Sequence, residues 1–174
     1  MISITNSRKT ERAGRIVADI YLDACCFIHF VEGQSEWRTV VERRLRELDP
    51  LSRVITSRLS RLECRTKPTR DGNRLLLERY HTLFGADRVA VLHVSKQVID
   101  RATDLRARHA FKTPDAIHLA TALESSATEF WTGDAALSRC TDIAVTVLLS
   151  VSKKWRRHFR PDCAALSVRR QTPR

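Results

Sequence analysis

The chain has no long apolar run, no paired-cysteine motif and no metal-binding histidine pair, and each absence excludes a class of protein. No stretch approaches the roughly 20 apolar residues that a membrane-spanning helix needs. The first residues are polar and basic, without an apolar stretch before a small-residue cleavage site, so we expect no secretory signal and a cytoplasmic location. Five cysteines without a CxxC pair argue against a disulfide framework and a zinc ribbon. Six scattered histidines without an HExxH spacing argue further against zinc chemistry.

What is present is a globular composition with an uneven distribution of charge. The 174 residues are 43% apolar and 29% charged, which is typical of one folded domain. The net charge is +11, and the flanks 1–15 and 152–174 hold most of it, leaving residues 16–151 nearly neutral. We therefore predict a basic N-terminal extension (1–15), a domain (16–151) and a basic C-terminal tail (152–174). Basic flanks attract nucleic acid by neutralising phosphates, although a solvating tail without a specific partner is an equal alternative.

Short β-branched runs alternate with helix-period stretches along the domain. The strands are predicted at 16–22, 53–56, 89–94, 129–132 and 143–148, and the helices at 36–48, 57–65, 73–84, 95–110 and 114–127. Strands separated by helices predict an α/β fold, with a mainly parallel central sheet of about five strands flanked by helices. Val98, Ile99, Ala102 and Leu105 are spaced to form a core face on one of these helices.

The sharpest helix boundary lies at Thr113, Pro114 and Asp115. Thr113 is predicted as the N-cap and Pro114 as the first helical residue, where no amide hydrogen is needed. Asp115 then falls in the first turn, where a carboxylate interacts favourably with the helix dipole.

Four acids are placed where a parallel sheet could bring them together. Asp23 follows the first predicted strand, Asp134 follows the fourth after Gly133, Asp115 begins a helix, and Glu63 lies on the helix after the second strand. Ligands of parallel sheets bind outside the carboxyl ends of the strands. Each acid has a simpler explanation alone: a loop residue, a cap, a dipole residue, or an ion pair of Glu63 with a neighbouring arginine.

Their joint placement predicts a metal site. Several carboxylates in one cleft repel each other, and either a raised pKa or a bound cation relieves that repulsion. Oxygen ligands favour Mg²⁺ or Mn²⁺ over zinc. A carboxylate-held divalent ion beside a basic surface indicates phosphodiester hydrolysis.

These residues lie in segments that resemble a known family. LDACCFI around Asp23, RLECR around Glu63, KTPDAIHLATAL around Asp115 and FWTGD ending at Asp134 resemble a PIN domain, in particular the VapC-type ribonuclease toxins of bacterial toxin-antitoxin pairs. The resemblance covers about 16–148. It implies the PIN-like sandwich fold and a Mg²⁺- or Mn²⁺-dependent endoribonuclease with these four acids as catalytic metal ligands. It also implies a homodimer and a cognate antitoxin protein.

Two further residues enter through this resemblance. Thr132 matches a hydroxyl residue that assists a ligand or a water molecule in such proteins. Cys25 stands where the family often has a polar residue two positions after the first Asp, so we expect a weak or absent hydrogen bond there.

Arg58, Arg61 and Arg65 are spaced along one helical face near Glu63, with Leu59 and Leu62 on another. They are candidates for binding an RNA backbone, and a solvated face or an antitoxin contact are the alternatives.

A non-catalytic RNA-binding or regulatory module is the alternative function for the whole protein. A receiver-like or phosphoryl-transfer protein is disfavoured, because DxDxT and GxxxxGK[ST] motifs are absent.

Overall fold

The computed structural model describes residues 10–12, 15–33 and 35–148 of the chain. The tail 152–174 and most of the extension 1–15 lie outside the described residues. The strands are β1 (Thr10–Arg12), β2 (Arg15–Val17), β3 (Ile20–Leu22), β4 (Val54–Ser57), β5 (Val89–Leu92), β6 (Glu129–Thr132) and β7 (Ala144–Val147). The helices are α1 (Ala24–Glu32), α2 (Ser35–Glu47), α3 (Arg58–Arg70), α4 (Arg74–Phe84), α5 (Lys96–His109) and α6 (Thr113–Glu124), with a short 3-10 helix at Ala135–Arg139. No helix in the described part of the chain is long and apolar enough to cross a membrane.

Five strands form one parallel sheet in the order β5-β4-β3-β6-β7, with β3 at its centre. Successive residues of β3 point to opposite faces of the sheet. Ile20 and Leu22 pack in the cluster formed with α1, α3 and α4, whereas Tyr21 packs in the cluster formed with α5 and α6. The predicted α/β fold, a parallel five-stranded sheet covered by helices on both faces, is confirmed.

The prediction of a single strand at 16–22 is wrong, because this segment contains parts of two strands, β2 and β3. β2 pairs with β1 in an antiparallel hairpin, and β3 begins the parallel sheet. Between them, the backbone N–H of Ala18 donates to the Ser52 hydroxyl, and the Asp19 carboxylate accepts from Arg53. The Ser52 hydroxyl takes the place of a backbone partner for Ala18, so the strand pairing is interrupted at this point.

Helix α1 was not predicted, because its sequence ACCFIHFVE lacks the polar face of an amphipathic helix. Most of its residues are buried, which explains the missing polar face. Helix α3 extends to Arg70, beyond the predicted end at 65, and includes Pro68 near its C-terminus. Ile99 is exposed, contrary to the prediction, whereas Val98, Ala102 and Leu105 are buried.

The start of α6 differs by one residue from the prediction. Lys112 is the N-cap and Thr113 is already helical, so Pro114 is the second helical residue. Asp115 still lies in the first turn. Ala116, Leu119 and Ala120 are buried against α5 and the sheet, which anchors the acidic N-terminus of α6 to the core.

Candidate active site

The topology brings the predicted acids to the carboxyl edge of the sheet. Asp23 directly follows the central strand β3, and Asp134 follows its neighbour β6 after Gly133. Glu63 is on α3, which begins immediately after the other neighbour, β4. Parallel strands end at the same edge, so these three segments leave the sheet together. Helix α6 packs against β4 and α3, and the charges of Asp23 and Asp134 act on Asp115 in its first turn.

Asp23 is buried, and its carboxylate is held by a hydroxyl rather than used as a helix cap. It is the N-cap residue of α1, yet its side chain makes no capping hydrogen bond. Instead Thr132 Oγ1 donates to Asp23 Oδ2 over 2.7 Å. The same hydroxyl oxygen accepts the backbone N–H of Asp134 over 3.0 Å. Thr132, which is fully buried, therefore joins the ends of β3 and β6 and fixes the orientation of Asp23.

The hydrogen bond that was expected to be weak or absent at Cys25 is present as a weak one. Cys25 Sγ donates to Asp23 Oδ2 over 3.3 Å and accepts the backbone N–H of Gly133 over 3.1 Å. A hydrogen bond with Cys26, burial and the charge of Asp23 raise the pKa of the Cys25 thiol well above its usual value. The thiol therefore stays protonated and acts as a weak donor to Asp23.

Glu63 is held by a histidine and not by an arginine of its own helix. His118 Nε2 lies 2.9 Å from Glu63 Oε2 and 3.8 Å from Asp23 Oδ1. The other ring nitrogen, Nδ1, lies 2.9 Å from the Tyr21 hydroxyl. Burial lowers the pKa of His118, but Tyr21, Glu63 and Asp23 together raise it well above its usual value. His118 therefore links two of the predicted acids.

The pKa of Asp115 is raised by burial and by the neighbouring carboxylates. Its pKa rises to about 6, because of burial first and then the charges of Asp23 and Asp134, with Lys112 and His118 opposing the rise. Asp134 has a partly structural role, since its Oδ1 accepts the backbone N–H of Ala136 at the start of the 3-10 helix.

The donor set at this edge consists of carboxylate oxygens that repel each other, which fits a hard divalent cation such as Mg²⁺ or Mn²⁺. In the described part of the chain, however, these side chains do not surround one position that an ion could occupy. Across the described residues, no three His, Cys, Asp or Glu side chains form a group arranged to hold a metal ion. The chemistry of the donors fits a cation, but their arrangement is that of separate acids linked by His118 and Thr132.

Arg58, Arg61 and Arg65 lie on α3, the helix that also carries Glu63. With Leu62 and Thr66 they line an open groove of about 610 Å³. None of the three arginines forms an ion pair with any residue that the structure describes. Leu62 is exposed in this groove, so the predicted separation of leucines and arginines onto two faces is wrong for Leu62.

A family model for the PIN domain matches residues 20–142. The chain belongs to the PIN domain family. The match includes β3 to β6, α1 to α6 and the four acids of the carboxyl edge. No curated protein sequence matches this PIN domain significantly.

Several solved structures share the fold at low sequence identity. A chain of a toxin-antitoxin complex from Klebsiella pneumoniae is 18% identical, with a TM-score of 0.60, covering 76% of this chain and 100% of that chain. A chain of VapBC2 from Rickettsia felis, solved with a DNA fragment from its promoter, is 11% identical, with a TM-score of 0.61 and coverages of 73% and 96%. Mycobacterium tuberculosis VapC20, described as a sarcin-ricin loop cleaving toxin, is 18% identical, with a TM-score of 0.59 and coverages of 70% and 94%. At these identities the likeness concerns the fold.

Sequence reasoning missed His118 and Tyr21 in this PIN domain. One signal was present: His118 lies three residues after Asp115, and residues at this spacing share a face of a helix. Tyr21 carried no such signal, because it looks like an ordinary core residue of β3.

Proposed function

We propose that this PIN domain is a divalent-metal-dependent endoribonuclease that acts as the toxin of a toxin-antitoxin pair. The observation that carries the proposal is the approach of acids from four separate segments to the carboxyl edge of β3, where Glu63 and Asp23 both face His118. The fold shared with toxin-antitoxin proteins, one of them described as a sarcin-ricin loop cleaving toxin, supports the choice of a nuclease function.

In this proposal Asp23, Glu63, Asp115 and Asp134 hold Mg²⁺ or Mn²⁺. The bound ion supplies Lewis-acid charge at the scissile phosphate. Thr132 keeps Asp23 in one orientation through its hydroxyl. The charges of Asp23 and Asp134 create a negative field at Asp115, which adds to the effect of burial in raising the pKa of Asp115. Such a field favours capture of a divalent cation over a monovalent one.

The RNA backbone is assigned to Arg58, Arg61 and Arg65. Their guanidinium groups have no acidic partner among the described residues, unlike Arg46, Arg53, Arg101 and Arg108, which are ion-paired. Arginine suits phosphate binding because its planar fork can donate two parallel hydrogen bonds. Their helix also carries Glu63, but the groove that they line includes none of the four acids.

Cleavage of a labelled RNA by the purified protein tests the enzyme proposal. The wild type is expected to produce fragments in Mg²⁺ or Mn²⁺ and none in EDTA. Asp23→Asn and Asp115→Asn are expected to abolish cleavage, while Asp100→Asn, which changes an exposed acid of α5, should cleave like the wild type. Undiminished cleavage by metal-free Asp115→Asn protein would refute the proposal.

The arginine assignment has a separate test in EDTA, where binding is measured without cleavage. Each of Arg58→Ala, Arg61→Ala and Arg65→Ala should weaken RNA binding, and should lower the slope of log affinity against log salt by about 0.7 per lost phosphate contact. Arg46→Ala, which removes an arginine paired with Glu42 on α2, is the matched control. An unchanged salt slope in all three variants would contradict the assignment.

A non-catalytic RNA-binding or regulatory PIN module is the second candidate. One observation favours it: the acids do not form a closed metal-holding group in the described part of the chain. Such a module would bind RNA equally in EDTA and in Mg²⁺ and would never produce fragments, so the same gel separates the two functions.

Two partners belong to the toxin proposal. A cognate antitoxin should co-purify with the natively expressed chain, and repeated isolation of an active chain alone would count against it. A homodimer is also proposed, and light scattering on the purified protein measures it directly. We place the protein in the cytoplasm, where its RNA substrate would be encountered.

A further inference from the structure

His118 is a buried side chain among the candidate acids. The proposed role of the four acids as metal ligands leaves the role of His118 unexplained. It lies on α6, three residues after Asp115, and is 2% exposed. A buried imidazole must satisfy two ring nitrogens. Tyr21 satisfies Nδ1 over 2.9 Å, and Glu63 satisfies Nε2 over 2.9 Å.

The direction of the second hydrogen bond follows from the chemistry of the acceptor. An ionised carboxylate only accepts, so the proton between His118 and Glu63 belongs to Nε2. In a neutral ring, Nδ1 then accepts the Tyr21 hydroxyl proton. In a charged ring, Nδ1–H donates to the Tyr21 oxygen instead. Nε2–H is directed at Glu63 in both cases, so the arrangement is independent of the charge of the ring.

The support behind His118 is rigid. Tyr21 is fully buried on β3, two residues before Asp23. Its ring stacks on Phe130 of β6, with centroids 5.2 Å apart and planes 6° apart. The Tyr21 hydroxyl therefore has a fixed position, and through it the imidazole is tied to the central strand. Glu63 by contrast has a side chain that is 31% exposed and several rotatable bonds, so it would have several rotamers without this partner.

We infer that His118 is a positioning residue that holds the Glu63 carboxylate in one orientation toward the edge where Asp23 and Asp115 lie. The inference rests on the proposed function, since it concerns the acids proposed to hold the cation. Partners that orient a metal ligand change metal affinity, because a free ligand must be ordered when the ion binds. A histidine that only fills the core would affect stability alone.

The test compares Mn²⁺ binding, followed by the electron paramagnetic resonance of free Mn²⁺ without RNA, in the wild type and in variants of His118. His118→Leu removes both hydrogen bonds and should weaken Mn²⁺ binding by about 10- to 100-fold. His118→Gln keeps an N–H donor near the position of Nε2 and should retain most of the wild-type affinity. Leu119→Ala, the neighbouring buried residue, controls for loosening of α6 and should lower stability with little change in Mn²⁺ affinity.

The outcomes separate the two proposals. A wild type that does not bind Mn²⁺ overturns the proposed metal-dependent function, and the role of His118 with it. Folded His118→Leu with wild-type or tighter Mn²⁺ affinity overturns only the role of His118, as does an equal loss in His118→Leu and His118→Gln.

Tyr21→Phe keeps the proposal testable if His118→Leu does not fold. This variant keeps the ring stacked on Phe130 and removes only the hydroxyl that holds Nδ1. It should weaken Mn²⁺ binding, though by less than His118→Leu. The loss should vanish in a Glu63→Gln background, because no carboxylate is then left to position. Unchanged Mn²⁺ affinity in Tyr21→Phe, or an equal loss in the Glu63→Gln background, would overturn the proposal.

Discussion

Replacing Asp115 by asparagine is expected to stabilise the metal-free protein at neutral pH while removing its proposed activity. Burial, together with the charges of Asp23 and Asp134, raises the pKa of Asp115 to about 6. The ionised carboxylate is therefore disfavoured in the folded protein relative to the unfolded chain, in which it is surrounded by water. Asparagine has nearly the same shape and carries no charge, so Asp115→Asn removes this cost from the folded state.

The magnitude follows from the shift in pKa. A rise from an ordinary value near 4 to about 6 corresponds to roughly 3 kcal/mol, at about 1.4 kcal/mol for each tenfold change in the protonation constant. The Asp115 side chain is only partly buried, so solvent screening reduces the expected gain to about 1–2 kcal/mol in the free energy of unfolding.

The sign of the pH dependence is opposite to that of a salt-bridged acid. Between pH 4 and pH 6 the folded protein keeps a proton on Asp115 that the unfolded chain has released. The cost of the charge is therefore fully present above about pH 6, and it is relieved as the pH falls through 6 toward 4. The advantage of Asp115→Asn over the wild type should fall by roughly half between pH 7 and pH 5.

Urea unfolding in EDTA at several pH values between 5 and 8 measures this difference, with Asp100→Asn as the control for an exposed acid. A repeat in Mg²⁺ should narrow the gap, because an ion that binds the folded wild type stabilises it by mass action. The reasoning would be refuted by an Asp115→Asn protein less stable than the wild type at pH 7 in EDTA, or by a difference that does not change with pH.

Three further changes test other contacts. Thr132→Val removes the hydroxyl that orients Asp23 and should lower the rate of RNA cleavage by about 10- to 100-fold. Thr132→Ser keeps a hydroxyl and should cleave at close to the wild-type rate. Equal rates for the two variants would contradict this role of Thr132. Leu119→Ala leaves a cavity at a fully buried position of α6 and should lower the free energy of unfolding, measured with urea, by about 2–5 kcal/mol. A smaller loss would show that the surrounding core collapses into the cavity. Arg53→Ala breaks an exposed ion pair with Asp19 and should cost under about 1 kcal/mol, so a larger loss would mean that this pair is more than a surface contact.

The alternation of strands and helices could be predicted because each of these elements depends on residues that are close together in the sequence. β-branched runs, the Ser95 cap of α5 and the Pro114–Asp115 start of α6 each depend on neighbouring residues. Helix α1 could not be found in this way, since a helix buried on most sides has no polar face to give it a period. At the break between β2 and β3 the backbone N–H of Ala18 donates to Ser52, which is 34 residues away and gives no signal in the run itself.

The chain by itself determined which acids were candidates and, from the order of its strands and helices, that Asp23 and Asp134 would leave the sheet at one edge. Only the tertiary structure decided what holds them. Glu63 and His118 are 55 positions apart, and Thr132 and Asp23 are 109 apart, so nothing local pairs them. Hydrogen bonds and charge effects act through space over a few ångströms, and the pairing of β3 with β6 and the packing of α6 set those separations.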